Sequence, residues 1–255
     1  MIKPAPEARC LIDISAISNP EGKESNILNK DESSSEQWIV IGNGLTPVDC
    51  YIELIVMEML PNEKSMCSIT CCNGQNVDCV IQLLRVENPN PPFTRSALEN
   101  LSRAKNYKEK GVQMFPRYPL FAHTYFNRAA KCLLSCAPLD ALDPALEGPD
   151  TIEEMQTLLE IIYLNISACL IKQNRFEEVM QVLKFVKHQV KPSDKAIYRM
   201  ALAQYHVKQF SEAIETLERI DYMANKECST LFHRIKTTKQ QEENAYNNMV
   251  KKMFG

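Results

Sequence analysis

The sequence lacks the short motifs by which several common classes of enzyme are recognised. It contains no glycine-rich phosphate loop, no HExxH zinc-binding helix and no GxSxG nucleophile elbow. Glycine itself is scarce, with 7 residues in 255, and there is a single tryptophan. The common hydrolase and nucleotide-binding chemistries therefore have no residues to carry them, and we predict no cofactor.

A strong net charge and long apolar runs are also missing. The formal net charge of −3 leaves no surface basic enough to predict binding of nucleic acid. No apolar run approaches the length that a membrane crossing needs, and the first ten residues, MIKPAPEARC, lack the apolar core of a secretion signal. We therefore expect a cytoplasmic protein, with the nucleus as an open second location, that binds neither nucleic acid nor membrane.

Ten cysteines are present, but the paired spacing of a zinc site is not. Four of them cluster at Cys67, Cys71, Cys72 and Cys79, with no CxxC pair and no histidine nearby in sequence. Structural zinc sites usually show such pairs, so zinc is the weaker alternative here. In an intracellular protein, cysteines are expected as reduced thiols that fill small buried spaces, and we predict no metal site.

Charge and proline content divide the chain into two predicted domains. Residues 1–90 carry 6 Lys and Arg against 13 Asp and Glu, whereas residues 91–255 carry 23 against 19. The segment Glu87–Thr94, ENPNPPFT, has three prolines in four residues, which remove backbone donors and disfavour helix before each proline. We predict one domain over 1–90 and a second over 91–255.

The front domain shows the pattern of strands around one helix. Cys10–Ile17, Trp38–Ile41, Met66–Cys72 and Val77–Val86 are β-rich, and Asn73-Gly74 favours a hairpin turn between the last two. Apolar residues between Pro47 and Leu60 recur at helical spacing. An antiparallel sheet with one helix is the simplest assembly. The polar run at Ser33 to Ser35 predicts a solvated loop, and its phosphorylation is the weaker alternative.

The back domain repeats itself at a period of 34 residues. Asn165–Val186, NISACLIKQNRFEEVMQVLKFV, matches Arg199–Ile220, RMALAQYHVKQFSEAIETLERI. Apolar partners such as Leu183 and Leu217 recur both at helical spacing and at the fixed period, which indicates a stacked helical hairpin. Such arrays present a groove for a partner protein. We predict helices near 95–115, 118–137, 151–173, 175–190, 193–208, 211–222 and 226–253.

A 34-residue hairpin with small residues at the helix crossing resembles the tetratricopeptide repeat. A less regular first copy includes Gly111, and the three small positions would be Gly111, Ser167 and Ala201. The final helix, which ends in AYNNMVKKMF, is similar to the capping helix that follows three such repeats in FKBP-type immunophilins. The resemblance covers about the C-terminal two thirds of the chain.

That resemblance implies a carboxylate clamp, a set of five groove positions that hold the acidic C-terminal tail of heat-shock chaperones. Lys108 takes the first position, Asn165 the third, and Lys195 and Arg199 the fourth and fifth. Val112 takes the second, where the family has Asn or Thr, and it cannot donate a hydrogen bond. Lys195 and Arg199 lie four residues apart, so both can converge on one carboxylate. The alternative is that these charges only solvate helix faces.

The front domain resembles FKBP-type prolyl isomerases. CLIDISAIS at Cys10–Ser18 is similar to the strand that bears their active-site tyrosine, and VDCYIELIVMEMLPNE at Val48–Glu63 is similar to their helix. In this alignment Ile14 replaces the tyrosine and Ile52 replaces the tryptophan at the floor of the pocket. Prolyl isomerisation needs a dry aromatic cup with polar groups for the carbonyl. The resemblance therefore implies an FKBP-like domain without isomerase activity.

The full arrangement is similar to non-catalytic FKBP-like immunophilins with tetratricopeptide repeats. It implies an α+β chain: a small truncated FKBP-like antiparallel sheet with one helix, then an all-α tetratricopeptide-repeat domain of three repeats and a capping helix. It also implies a non-enzymatic, co-chaperone-like adaptor that binds a casein-kinase-family kinase and promotes phosphorylation of its clock substrate, with a heat-shock chaperone tail as a second partner. The alternative is a chaperone-tail-binding immunophilin with residual peptidyl-prolyl isomerase activity.

Overall fold

The structure of the protein, a computed structural model, describes residues 2–18, 25–28, 36–70, 76–187 and 193–254. Ser33 to Ser35, Cys71, Cys72 and the predicted Asn73-Gly74 turn lie outside these ranges. The chain divides into two compact units, Met1–Ile152 and Glu153–Gly255, which are described separately below. The first unit contains the sheet and the first helical hairpin.

Unit 1 begins with a four-stranded antiparallel sheet of order β2-β1-β4-β3. Its strands are β1 (Arg9–Ser18), β2 (Glu36–Val40), β3 (Lys64–Thr70) and β4 (Asn76–Glu87). Burial alternates along β1 and β4, as expected of a sheet with one face on a core. The four strands predicted from the β-rich runs are confirmed.

One helix, α1 (Pro47–Glu58), covers the buried face of the sheet. Thr46 caps its first turn by accepting a hydrogen bond from the backbone N–H of Asp49, and Pro47 occupies the first turn, where its missing N–H has no cost. Ile52 and Val56 are fully buried and pack with Ile12 and the strands around it. The predicted single helix on an antiparallel sheet is therefore confirmed.

The first helical hairpin consists of α2 (Ala97–Met114) and α3 (Pro119–Leu134). Ser96 and Glu99 form a reciprocal capping box at the start of α2. Gly111 faces the ring of Phe126 so closely that a Cβ at position 111 would lie 2.6 Å from Cε1 of that ring. The small residue thus allows the two helices to approach. A one-turn helix, α4 (Pro144–Glu147), lies in the proline-rich break that follows.

Unit 2 holds the remaining helices, of which α5 begins four residues before the division. They are α5 (Pro149–Lys172), α6 (Phe176–Lys187), α7 (Asp194–His206), α8 (Phe210–Leu217) and α9 (Lys226–Phe254). The paired positions of the 34-residue repeat are equivalent in burial: Leu183 and Leu217 are 1% and 0% exposed. Ser167 and Ala201 are also fully buried. These observations confirm the α+β fold class.

The helix α5 is long and apolar enough, by length and composition alone, to cross a membrane. This corrects the expectation that no segment approaches that length. Its buried side chains recur at helical spacing on one side, at Met155, Leu158, Ile162 and Ile166. A helix that packs one face on a protein core passes the same test. This packing buries one side of α5.

Candidate functional site

Arg199 on α7 is the predicted clamp residue with the most contacts. Its Nη1 donates a hydrogen bond to the carbonyl oxygen of Leu164 at 2.5 Å and lies 3.4 Å from the hydroxyl oxygen of Ser167. Burial lowers the pKa of its guanidinium. Arg199 therefore links α7 to α5, and only its remaining N–H groups can bind a ligand.

Lys195 and Asn165 lie on the same two helices. Lys195 stands one turn before Arg199 on α7, and its side chain is exposed. Asn165 is half-buried and follows Leu164, whose carbonyl Arg199 binds. The structure thus brings Asn165 and Arg199 to one helix pair, with an exposed ammonium group next to them. This surface offers an amide, a guanidinium and an ammonium to an anion.

The other two clamp positions lie on α2, in unit 1. Lys108 is half-buried, and Val112, one turn later, is 50% exposed. An exposed valine offers apolar area but no hydrogen bond. Val112, the residue that differs from the family at the second clamp position, therefore lies on an accessible surface of α2.

Ile14 and Ile52, which the FKBP resemblance aligns with the isomerase pocket, are core residues. Ile14 is 6% exposed and pairs across the sheet with Ile81, while Ile52 is fully buried on α1. Both belong to one aliphatic cluster of unit 1. An aliphatic cluster provides neither the aromatic wall nor the polar groups that hold a twisted X-Pro bond.

Cys67 and Cys79, two of the four clustered cysteines, face each other across β3 and β4 and are buried. Within the described ranges, no group of three or more His, Cys, Asp or Glu side chains could hold a metal ion. Burial raises the pKa of the Cys67 thiol, which favours the neutral form. The two thiols act as small core side chains.

A buried carboxylate that the sequence did not reveal organises the turn before α1. Glu53 is 4% exposed and accepts hydrogen bonds from the backbone N–H groups of Gly42, Asn43 and Gly44, at 2.8, 2.9 and 2.6 Å. Gly42 has a φ of 97°, a left-handed conformation that glycine adopts without strain. Burial raises the pKa of Glu53, against the opposing effect of these hydrogen bonds and of Arg128.

The first helical hairpin binds the same turn from the other side. Lys110 donates to the carbonyl oxygen of Gly42 at 2.8 Å, and the Tyr125 hydroxyl donates to the carbonyl oxygen of Gly44. A second contact joins Glu7, before β1, to Arg95 at 2.9 Å and to Arg103 on α2. These buried and partly buried polar contacts therefore bind the hairpin to the sheet and the segments beside it.

No local motif predicts this junction, because its partners are far apart in sequence. Lys110 and Gly42 are separated by 68 residues, and Tyr125 and Gly44 by 81. The one available signal was the number of polar and aromatic residues on α2 and α3. Tyr107 and Lys110 stand three apart on one face of α2, and Tyr125 and Arg128 stand three apart on one face of α3. Such a face is equally typical of solvated helices.

Comparisons with known proteins matched two family profiles along this chain. The family profile described as "BDBT FKBP like N-terminal" matches residues 1–88, and that described as "Bride of doubletime-like, TPR domain" matches residues 96–181. The Drosophila melanogaster protein Bride of doubletime is 35% identical over 240 residues, which span 92% of this chain and 84% of that protein. A crystal structure of residues 1–211 of CG17282 is 32% identical, with a TM-score of 0.58 over 70% of this chain and 86% of that one. The chain belongs to the Bride of doubletime family of FKBP-like proteins with tetratricopeptide repeats.

Proposed function

We propose that this protein is an adaptor that binds a casein-kinase-family kinase of the doubletime type and promotes phosphorylation of the kinase's clock substrate. Membership of the Bride of doubletime family supports a non-enzymatic, adaptor-like protein with protein partners. The observation that carries the proposal is that Ile14 and Ile52, which the FKBP resemblance aligns with the isomerase pocket, are buried in one apolar core cluster. A domain without catalytic groups, fused to helical repeats, is suited to holding two proteins together.

The repeats supply the chemistry for a second partner, the acidic tail of a heat-shock chaperone. Lys195 is exposed, and Arg199 keeps N–H donors beyond those that bind Leu164. A carboxylate at this surface would receive charge-assisted hydrogen bonds from both cations, and Asn165 would add a neutral one. These three contacts are the ones that unit 2 supplies, so we expect weaker binding than a complete clamp of five positions gives.

A peptide-binding titration tests the clamp. Fluorescence anisotropy of a labelled acidic chaperone-tail peptide, with the full chain, should give a Kd that rises about tenfold or more for Lys195→Ala, because a charge-assisted hydrogen bond contributes about 1.5–3 kcal/mol. Lys184→Ala is the matched control, since Lys184 is exposed on α6 and bonds only to Gln181 among the described residues. An unchanged Kd for Lys195→Ala would remove the clamp from the proposal.

The kinase role is tested separately. Tagged protein should co-precipitate a casein-kinase-family kinase from cell extract, and purified protein should raise the rate at which that kinase phosphorylates its clock substrate. Cytoplasmic and nuclear extracts are compared, because we propose the cytoplasm as the main location and the nucleus as a second one. Absence of the kinase from both precipitates, or an unchanged phosphorylation rate, would contradict this role.

An isomerisation assay separates the adaptor from the alternative, a chaperone-binding immunophilin with residual activity. We expect the full chain to leave the cis/trans interconversion of a proline peptide at its uncatalysed rate of tens of seconds or slower. The aliphatic surroundings of Ile14 and Ile52 give the reason, since they offer no polar group to the twisted carbonyl. Acceleration in proportion to protein concentration would favour the immunophilin alternative.

A further inference from the structure

Unit 1 contains a cavity of about 600 Å³ that lies away from Ile14 and Ile52. Its wall is formed by the segment before β1, the proline-rich segment 89–91 and residues of α3, with Met57 of α1, Arg95, and Tyr107 of α2 completing it. Cavities that bind small molecules measure about 300–1,000 Å³. The volume therefore suits a ligand of that size.

Part of the cavity wall has no strong hydrogen-bond donor. Pro6, Pro89 and Pro91 contribute rings without an N–H group, and Met57 and Cys132 add sulfur-containing apolar surface. Such a lining favours the apolar body of a ligand. The rest of the wall is polar or charged and includes Asn90, Thr124 and Asn127.

One cation in the wall, Arg128, has no ion pair among the described residues, although its charge interacts with that of Glu53 and its Nη1 lies beside Gly42. The guanidinium of Arg128 lies 6.0 Å from the ring centre of Tyr107 and 5.7 Å from that of Tyr125, and its side chain is half-buried. Within the described parts of the chain it makes neither a hydrogen bond nor an ion pair, although a guanidinium carries five N–H donors. Half-buried donors of this kind favour an anion that accepts from them.

Among the described residues that line the cavity, Arg128 and Lys131 are cations without an ion pair. Glu7 is the carboxylate in the wall, and it pairs with Arg95 at 2.9 Å and with Arg103. Lys131 stands three residues after Arg128 on the same face of α3, is exposed and, among the described residues, has no ion pair. Glu53, whose charge acts on Arg128, uses both its oxygens on backbone N–H groups. The cavity thus combines an apolar wall with two adjacent cations.

We propose that this cavity binds a small amphipathic carboxylate, a molecule with an apolar body and one carboxylate group. The carboxylate would lie against Arg128, whose planar fork matches its two oxygens, and Lys131 would add a second positive charge. The apolar body would lie against the prolines and Met57. This activity is separate from the adaptor role and does not depend on it.

Calorimetry with octanoate and with 1-octanol tests the proposal on the full chain. The two probes share an apolar chain and differ in the carboxylate. We expect octanoate to bind more tightly than 1-octanol, and Arg128→Gln and Lys131→Gln each to weaken octanoate about tenfold while leaving 1-octanol unchanged. Lys64→Gln, at an exposed cation of β3 in the same unit, is the matched control and should change neither affinity.

The two substitutions distinguish loss of the binding site from loss of folding. Because Arg128 also packs on two tyrosine rings, its substitution could disturb folding, whereas the exposed Lys131 can be replaced without that risk. Lys131→Gln alone must therefore weaken octanoate. No binding of octanoate at millimolar concentration, equal affinity for the two probes, or an unchanged octanoate Kd in Lys131→Gln would each overturn the assignment.

Discussion

Replacing Gly111 by alanine should destabilise the first helical hairpin, even though alanine is the better helix former. The added Cβ would lie 2.6, 2.8 and 2.9 Å from Cε1, Cδ1 and Cζ of the Phe126 ring. Real Cβ atoms do not approach other atoms so closely, and Phe126 is only 1% exposed, so its ring has no free space to enter. Either the ring leaves its rotamer or α2 and α3 move apart.

Two opposing effects set the size of the change. Overpacking of a well-packed site costs about 1–3 kcal/mol. Exchanging glycine for alanine inside a helix stabilises the helix by about 1 kcal/mol. Three contacts to one buried ring favour the upper part of the first range, so we expect a net loss of about 1–2 kcal/mol in the free energy of unfolding of this hairpin.

A double-mutant cycle with Phe126→Leu isolates the contact. Urea unfolding, with hydrogen exchange of the α2 and α3 amides as a local probe, should show Gly111→Ala as destabilising in the wild-type background. In the Phe126→Leu background it should be neutral or stabilising by up to about 1 kcal/mol, because the ring is gone and helix propensity remains. The same effect in both backgrounds, or a wild-type background that alanine stabilises, would refute the reasoning.

Three further predictions concern the cap, the buried carboxylate and the clamp. Ser96→Ala should cost about 1 kcal/mol in unfolding free energy by urea titration, since it removes the capping box of α2; no measurable loss would contradict that role. Glu53→Gln should cost about 1–3 kcal/mol by the same measurement, because the amide N–H₂ that replaces one oxygen then faces backbone donors. Glu58→Gln on the same helix weakens only an exposed ion pair with Lys3, so it should shift the midpoint much less. Asn165→Ala should weaken binding of the acidic peptide several-fold by anisotropy, since it removes a neutral hydrogen-bond donor, and an equal Kd would argue against Asn165 as part of the clamp.

The elements were predictable because their signals are local. The β-rich runs identified β1 and β4, and the 34-residue match identified the stacked hairpins, since both signals depend on which residue types stand close together in the chain. The caps at Thr46 and Ser96 also depend on residues within one helical turn. These features follow from neighbouring residues, so a single sequence contains them.

The environment of the clamp residues was only partly predictable. The spacing of Lys195 and Arg199 places both on one face of α7, and the sequence shows it directly. The bond from Arg199 to the carbonyl of Leu164 spans 35 residues and depends on how α5 and α7 pack. Whether an arginine is free for a ligand or joins two helices is therefore a property of the packing.

The sequence by itself determined the order of strands and helices, the repeat period and the aliphatic residues at the isomerase positions. Tertiary structure alone decided that the first hairpin is bound to the sheet, through Glu53, Lys110 and Tyr125, and that a cavity with Arg128 in its wall lies close to that junction. The physical reason is distance along the chain. Periodicity records burial of an element's own face, whereas a buried polar contact between residues 68 or 81 positions apart leaves no local pattern.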